Sequence, residues 1–95
     1  MIRGFADSET ERIWNGERSR KLPPDIQQTG RRKLRQLHGA RRLDDLRVPG
    51  GNRLEQLKGF TALRYSVRIN DQWRLTFGWS NGGADDVRIE DYHRG

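Results

Sequence analysis

The sequence predicts one α+β domain over residues 1–95, with N-terminal helices packed on a small antiparallel sheet. Residues 65–79 alternate apolar and polar side chains with a period of two, whereas residues 26–37 carry apolar side chains on one face of a helix. Pro49-Gly50-Gly51 separates the helix-rich half of the chain from the strand-rich half. Neither half could bury a core alone, so both belong to the same domain.

A short first helix is predicted over Glu9–Trp14. Asp7 or Ser8 offers an N-terminal cap, and Asn15-Gly16 ends the helix. The segment Ile2–Phe5 before it has the pattern of a short strand.

A second helix is predicted to begin at Pro23-Pro24-Asp25 and to end at Gly39. Its apolar face consists of Ile26, Leu34 and Leu37, with Gly30 between them. The sequence places four cations on the opposite face, namely Arg31, Arg32, Lys33 and Arg35. Such a basic face is either simply solvated or docks on RNA.

The middle of the chain has weaker signals. Arg41–Val48 is predicted to form one more helical turn around Leu43 and Leu46. Asn52–Lys58 is predicted as an irregular strand, because Leu54 and Leu57 differ in parity and imply a bulge. Gly59–Leu63 then turns the chain into the alternating segment.

The alternating segment predicts a β-hairpin with a three-residue loop, Asn70–Gln72. Only a loop of odd length brings apolar residues of the two strands onto one face, and this one sets Val67 opposite Leu75. The same register sets Arg68 directly opposite Arg74 on the polar face. Like charges in that position are destabilising, so either both side chains extend into solvent or an anion uses them.

A second turn is predicted at Ser80-Asn81-Gly82-Gly83, followed by a strand that begins at Val87. If Phe77 lies opposite Val87, then Arg74 lies opposite Glu90. The polar face of the sheet then gathers Arg64, Ser66, Arg68, Arg74, Thr76, Arg88, Glu90 and Tyr92. Asp91 and His93 have the other parity, and the direction of their side chains is left open.

The composition favours an anionic partner. Lys and Arg number 19 against 13 acidic residues, for a net charge of +6, and most of these cations are arginine. Arginine suits bidentate phosphate contacts, so nucleic acid is the leading partner class and an acidic protein the second. The chain has no cysteine and two distant histidines, so we expect neither a disulfide nor a metal site or other cofactor. No apolar run is long enough for a membrane span, and we expect a cytoplasmic protein.

These residue types suffice in kind for RNA cleavage without a metal. The 2′-hydroxyl must lose its proton, the charge on the phosphorane must be stabilised, and the 5′-oxygen must be protonated as it leaves. Lys58, Arg68 and Arg74 can stabilise the charge, and Tyr92 and His93 can move protons. The plainer alternative is that a tyrosine at a strand end is structural and a C-terminal histidine is merely exposed.

The motifs NRLEQLKG, YSVRINDQWRLTF and IEDYH, together with MIRGFAD and TERIWNG near the start, resemble the HigB group of bacterial toxins. These are plasmid-maintenance host-killing proteins of the RelE-like superfamily, and the resemblance spans nearly the whole chain. It implies a ribosome-dependent mRNA endonuclease toxin of a type II toxin–antitoxin system, which cuts in the A site by attack of the 2′-hydroxyl. It also implies a HigA-type helix-turn-helix antitoxin, through which the pair binds operator DNA, and the 70S ribosome as a partner.

The resemblance implies roles for individual residues. Arg68 and Arg74 match the phosphate-stabilising arginines, Lys58 matches the active-site lysine of the LKG motif, and Asp91, Tyr92 and His93 match the terminal group. His93 is the leading proton-transfer residue. The predicted RNA-binding cations are Arg31, Arg32, Lys33, Arg35, Arg64 and Arg88.

Glu55 is a departure, because some members carry a histidine in the segment before LKG. It is either a general base or a structural carboxylate that pairs with Arg53 or Arg74. For this reason a non-catalytic nucleic-acid-binding or regulatory module on the same fold stands as the alternative function. A protein-interaction domain whose basic surface meets an acidic partner is the third.

Overall fold

The computed structural model describes residues 1–59 and 63–91 and has the predicted α+β architecture. Two helices pack on one face of a four-stranded antiparallel sheet, whose strands follow each other in chain order. The strands are β1 (Glu55–Leu57), β2 (Arg64–Arg68), β3 (Trp73–Ser80) and β4 (Gly83–Asp91). The predicted fold class is therefore confirmed.

Helix α1 spans Ser8–Trp14, and Asp7 caps it by accepting a hydrogen bond from the Thr10 backbone N–H at 2.7 Å. The predicted cap and helix end are confirmed. The hydroxyl of Thr10, which is buried, accepts a hydrogen bond from the Ile89 backbone N–H at 2.9 Å. This bond attaches α1 to the sheet beside strand β4.

Helix α2 spans Pro24–Gly39 and buries Ile26, Leu34 and Leu37 against the sheet, as predicted. Gly30 allows the close approach: a Cβ atom there would lie 3.2 Å from Cδ1 of Ile89. A side chain at this position would therefore require the end of the Ile89 side chain to shift by a few tenths of an ångström.

The hairpin of β2 and β3 has the predicted register. Val67 lies opposite Leu75 and Arg68 lies opposite Arg74. The loop is closed by Asn70, whose side-chain oxygen accepts hydrogen bonds from the backbone N–H groups of Gln72 and Trp73 at 2.9 and 2.7 Å.

The turn between β3 and β4 is shorter than predicted, and β4 begins at Gly83 rather than at Val87. Asn81 and Gly82 both have positive φ, 49° and 72°, which is the two-residue type I′ turn that suits twisted strands. Pairing therefore starts at once, with Ser80 opposite Gly83. A bulge at Asp86, with φ of 48°, then shifts the register so that Arg74 lies opposite Glu90, as predicted.

The segments flanking the sheet are less regular than the sequence patterns suggested. Ile2 and Phe5 form two isolated parallel bridges with β4 rather than a continuous strand. Asn52–Lys58 was predicted as one strand, but pairing is confined to Glu55–Leu57. Asn52 belongs instead to a 3₁₀ helix (Gly50–Asn52), and Arg53 after it has a left-handed φ of 45° that no strand accommodates.

The predicted helical turn around Leu43 and Leu46 is a 3₁₀ helix, Leu43–Arg47, which precedes the one at Gly50–Asn52. In the predicted turn Gly59–Leu63, residues 60–62 lie outside the described residues. Within the described ranges, neither α-helix combines the length and apolar character needed to cross a membrane.

The core lies between the helices and the apolar face of the sheet, and several large aromatic side chains close its edges. Its buried members are Ile13, Ile26, Leu34, Leu37, Ala40, Leu46, Val67, Ile69, Leu75, Phe77, Ala84, Val87 and Ile89. The opposite face of the sheet is thereby left to polar side chains.

Candidate functional site

The polar face of the sheet brings two predicted site arginines together. Arg68 and Arg74 are direct cross-strand neighbours, and Glu90 is the neighbour of Arg74 on its other side. Side chains of directly opposed residues point to the same face of a sheet. The two guanidinium groups therefore share one surface.

Arg74 is fixed in place, with only 8% of its side chain exposed. Its Nε donates to the hydroxyl of Ser66 at 2.8 Å, and its Nη2 donates to the backbone carbonyl of Arg53 at 2.7 Å. Glu55 supplies charge compensation, since its Oε1 lies 3.7 Å from the same Nη2. Of the two roles that the sequence left open for Glu55, this contact is the one expected of a structural carboxylate.

Arg68 is held much more loosely. Its Nη2 contacts Oδ1 of Asp71 at 2.5 Å, but the Asp71 side chain is 99% exposed. Exposed ion pairs contribute about 0–1 kcal/mol, so a phosphate oxygen can replace Asp71 at small cost. Arg68 thus offers an accessible cation next to an immobile one.

The remaining predicted catalytic residues are placed differently. Lys58 is exposed and directly follows β1. Asp91 lies opposite Trp73, so its side chain belongs to the other face of the sheet, where it accepts a hydrogen bond from Nε2 of Gln72 at 3.0 Å. Tyr92 and His93 lie outside the described residues.

Two of the predicted RNA-binding cations lie on the same polar face, toward the edge formed by β4. Arg64 donates to the Thr76 hydroxyl at 3.3 Å and to the Asp86 carbonyl at 3.0 Å, and Arg88 pairs with Asp7 at 3.6 Å. With Phe5, Ala6, Asp86 and Glu90, they line an open depression of about 430 Å³. Glu90 is not free within it, because it accepts a short hydrogen bond from Thr76.

Helix α2 presents fewer cations to solvent than predicted. Arg32 and Arg35 are exposed, whereas Arg31 is half-buried beside Gly16. The predicted place of Lys33 on the solvent face of α2 is wrong. Lys33 lies seven residues after Ile26, about two helical turns, and so shares the buried face. Burial lowers the pKa of Lys33, and the charges of Arg32 and Arg68 lower it further.

The side chain of Lys33 is hydrogen-bonded to Asn52, a residue that no sequence pattern marks as functional. Its Nζ donates to Oδ1 of Asn52 at 2.5 Å, and Asn52 is completely buried. Asn52 follows Pro49-Gly50-Gly51, a sequence typical of an exposed turn, so nothing in the pattern signalled burial. Among the described residues, no group of three or more His, Cys, Asp or Glu could hold a metal ion.

Comparison with known proteins agrees with this architecture. Residues 3–93 match the family described as RelE-like toxin of type II toxin-antitoxin system HigB. The chain belongs to that family. It is 40% identical to Toxin HigB-1 of Vibrio cholerae serotype O1 over 95% of this chain and 96% of the relative. An uncharacterized protein of Haemophilus influenzae is 29% identical over 90% of this chain and 86% of its own length.

As a HigB toxin of a type II toxin–antitoxin system, the protein has an antitoxin as its partner. The family match extends through Tyr92 and His93, so the terminal motif lies within the matched region. The two helices on a four-stranded antiparallel sheet agree with a RelE-like toxin fold.

Proposed function

We propose that this toxin is a ribosome-dependent endonuclease that cleaves mRNA in the A site and so inhibits translation. The observation that carries the proposal is the pair of opposed arginines on the polar face, one fixed and one accessible, in a chain of the HigB family. An opposed cation pair is unfavourable in a bare sheet, and a bound phosphodiester removes that penalty.

The proposed reaction is attack of the 2′-hydroxyl on the adjacent phosphorus. The nucleophile loses its proton, the P–O bond to the 5′-oxygen breaks, and that oxygen takes up a proton. The products are a 2′,3′-cyclic phosphate and a free 5′-hydroxyl, so no water and no metal ion enter the balance. Lys58, Arg68 and Arg74 stabilise the phosphorane, Tyr92 orients or stacks on a base, and His93 transfers a proton.

Glu55 favours a second candidate function, a non-catalytic nucleic-acid-binding or regulatory module. Its carboxylate is engaged with Arg74 in a contact that serves the fold whether or not RNA is cleaved. In that case the polar face would bind RNA without moving protons.

Expression of the toxin from an inducible promoter separates the two. We expect growth arrest and new mRNA 5′ ends at codon-linked positions, and we expect both effects to disappear in His93→Ala and Arg68→Ala. Arg20→Ala, which removes an exposed cation from the loop between the helices, is the matched control and should remain toxic. Harmless wild-type expression without new 5′ ends would instead support the binding module.

We also propose that the antitoxin is a HigA-type helix-turn-helix protein and that the complex binds its operator through it. A short neighbouring gene encoding such a protein should restore growth when it is co-expressed. A complex of the two proteins should shift operator DNA that the toxin alone leaves unbound.

A further inference from the structure

We infer that Asn52 and Lys33 are positioning residues, which hold the backbone carbonyl that orients Arg74 in the RNA-cleavage site. The inference rests on the proposed function. The hydrogen bonds that support it connect three elements: helix α2, the 3₁₀ helix Gly50–Asn52 with the Arg53 that follows it, and strand β3.

Asn52 is an anchor. It is completely buried, and both polar atoms of its side chain are paired. Its Oδ1 accepts from Lys33, while its Nδ2 donates to the Leu46 carbonyl at 3.2 Å and to Oε1 of Gln36 at 3.1 Å. Buried amides must have such partners, so the side chain of Asn52 has one position relative to α2.

The fixed position of Asn52 determines the direction of the backbone carbonyl of Arg53. Arg53 takes a left-handed conformation, and its N–H donates to the Gly50 carbonyl at 3.3 Å, which closes the turn. Its own carbonyl then accepts the hydrogen bond from Nη2 of Arg74 at 2.7 Å. Movement of Asn52 would therefore move one of the groups that hold the Arg74 guanidinium.

In a purely structural role, a buried lysine at position 33 would cost folding free energy, because its charge is desolvated. It places an amino group on the buried face of α2, close to the positive charges of Arg32 and Arg68. An apolar side chain at this position would avoid the free energy of desolvating a charge. The lysine is accounted for if its bond to Asn52 sets the geometry of the site.

Lys33→Met is the test, because methionine keeps the length and apolar stem of lysine but cannot donate to Asn52. With ribosome-bound mRNA as substrate, we expect kcat to fall about tenfold with KM nearly unchanged, since small displacements of a catalytic group cost up to about 10²-fold. In an Arg74→Lys background, Lys33→Met should lower kcat no further. A role in general stability would instead make the two losses additive.

Ser19→Ala is the matched control. Ser19 is a buried residue of the loop between α1 and α2, and its hydroxyl donates to Glu9 at 2.7 Å. This variant removes a buried side-chain hydrogen bond, as Lys33→Met does, but it should leave kcat intact. The Arg74 Nε–H resonance in a ¹⁵N NMR spectrum should shift in Lys33→Met and not in Ser19→Ala.

An unchanged kcat and an unchanged Arg74 resonance in Lys33→Met would overturn the inference. Absence of cleavage by the wild-type toxin would overturn the proposed function, and with it the catalytic consequence of the positioning. The Arg74 resonance reports on the geometry independently of that result.

Discussion

Arg68 and Arg74 show how two identical residues, directly opposed in one sheet, acquire different roles from their surroundings. Arg74 has hydrogen bonds from both ends of its guanidinium and is buried, so its orientation is set before any ligand arrives. Arg68 has an exposed aspartate as its partner and can exchange it for a phosphate oxygen. In the proposed site, Arg74 supplies preorganised charge and Arg68 supplies the contact that recruits the substrate.

Asp45 gives a pH prediction for a single residue. Its carboxylate accepts hydrogen bonds from the backbone N–H groups of Arg42 and Arg41 at 3.0 and 2.9 Å, and these bonds lower its pKa. A lowered pKa contributes stability that is present above the unfolded-state value, about 4, and is lost as the pH falls through the folded-state value. Urea denaturation at pH 6 and pH 2.5 should therefore show the wild type losing stability relative to Asp45→Asn, whose amide does not titrate. Parallel losses in the two proteins would contradict this role.

The register of a hairpin can be predicted from sequence where only one loop length satisfies the apolar pattern of its strands. The loop Asn70–Gln72 had to be odd in length to keep Val67 and Leu75 on one face, and the register is confirmed. For the hairpin of β3 and β4, two arrangements fit the apolar pattern. A three-residue loop would keep the apolar residues on one face, and so does a two-residue turn followed by a one-residue bulge, which is the arrangement that the structure has. The positive φ of Asp86 that creates this bulge has no sequence signal comparable to that of Asn81-Gly82.

In the candidate site, too, residues in regular strands could be predicted from the sequence, whereas residues in irregular segments could not. Arg68 and Arg74 follow from strand alternation, whereas Asn52 lies in an irregular segment where sequence gives no periodicity. The charge of Lys33 predicts exposure, whereas its position two helical turns after Ile26 places it on the buried face. The roles of Tyr92 and His93 stay predictions from the resemblance.

The turn between β3 and β4 gives a prediction for an element. Gly82 has φ of 72°, which an alanine adopts only with strain, so Gly82→Ala should destabilise the fold by about 1 kcal/mol. For a domain of this size, that lowers the melting temperature by about 4–8 °C. Gly39→Ala is the control, since its site at the end of α2 is open and alanine favours a helix. Cleavage of mRNA at 25 °C should be unchanged in both, and equal melting temperatures for the two variants would contradict the assignment of the turn.

The net charge of +6 favours binding to RNA but does not by itself define a docking surface. The charges differ in their availability. Arg32 and Arg35 are exposed on α2, whereas Arg42 and Arg47 each lie within 4 Å of the carboxylate of Asp44, at 3.9 and 3.0 Å. The carboxylate of Asp44 lowers the local positive potential around Arg42 and Arg47, so a surface that docks on ribosomal RNA should involve the first pair rather than the second.

Two double variants with the same change in net charge test this surface. We expect Arg32→Gln with Arg35→Gln to weaken ribosome binding and to reduce the slope of log K against log salt by about 1.5, as expected for two lost phosphate contacts. Arg42→Gln with Arg47→Gln should leave that slope nearly unchanged. The first variant should also raise KM for ribosome-bound mRNA without lowering kcat, because α2 lies on the face of the sheet opposite Arg68 and Arg74. Equal slopes for the two variants would show that net charge, rather than the exposed face of α2, governs docking.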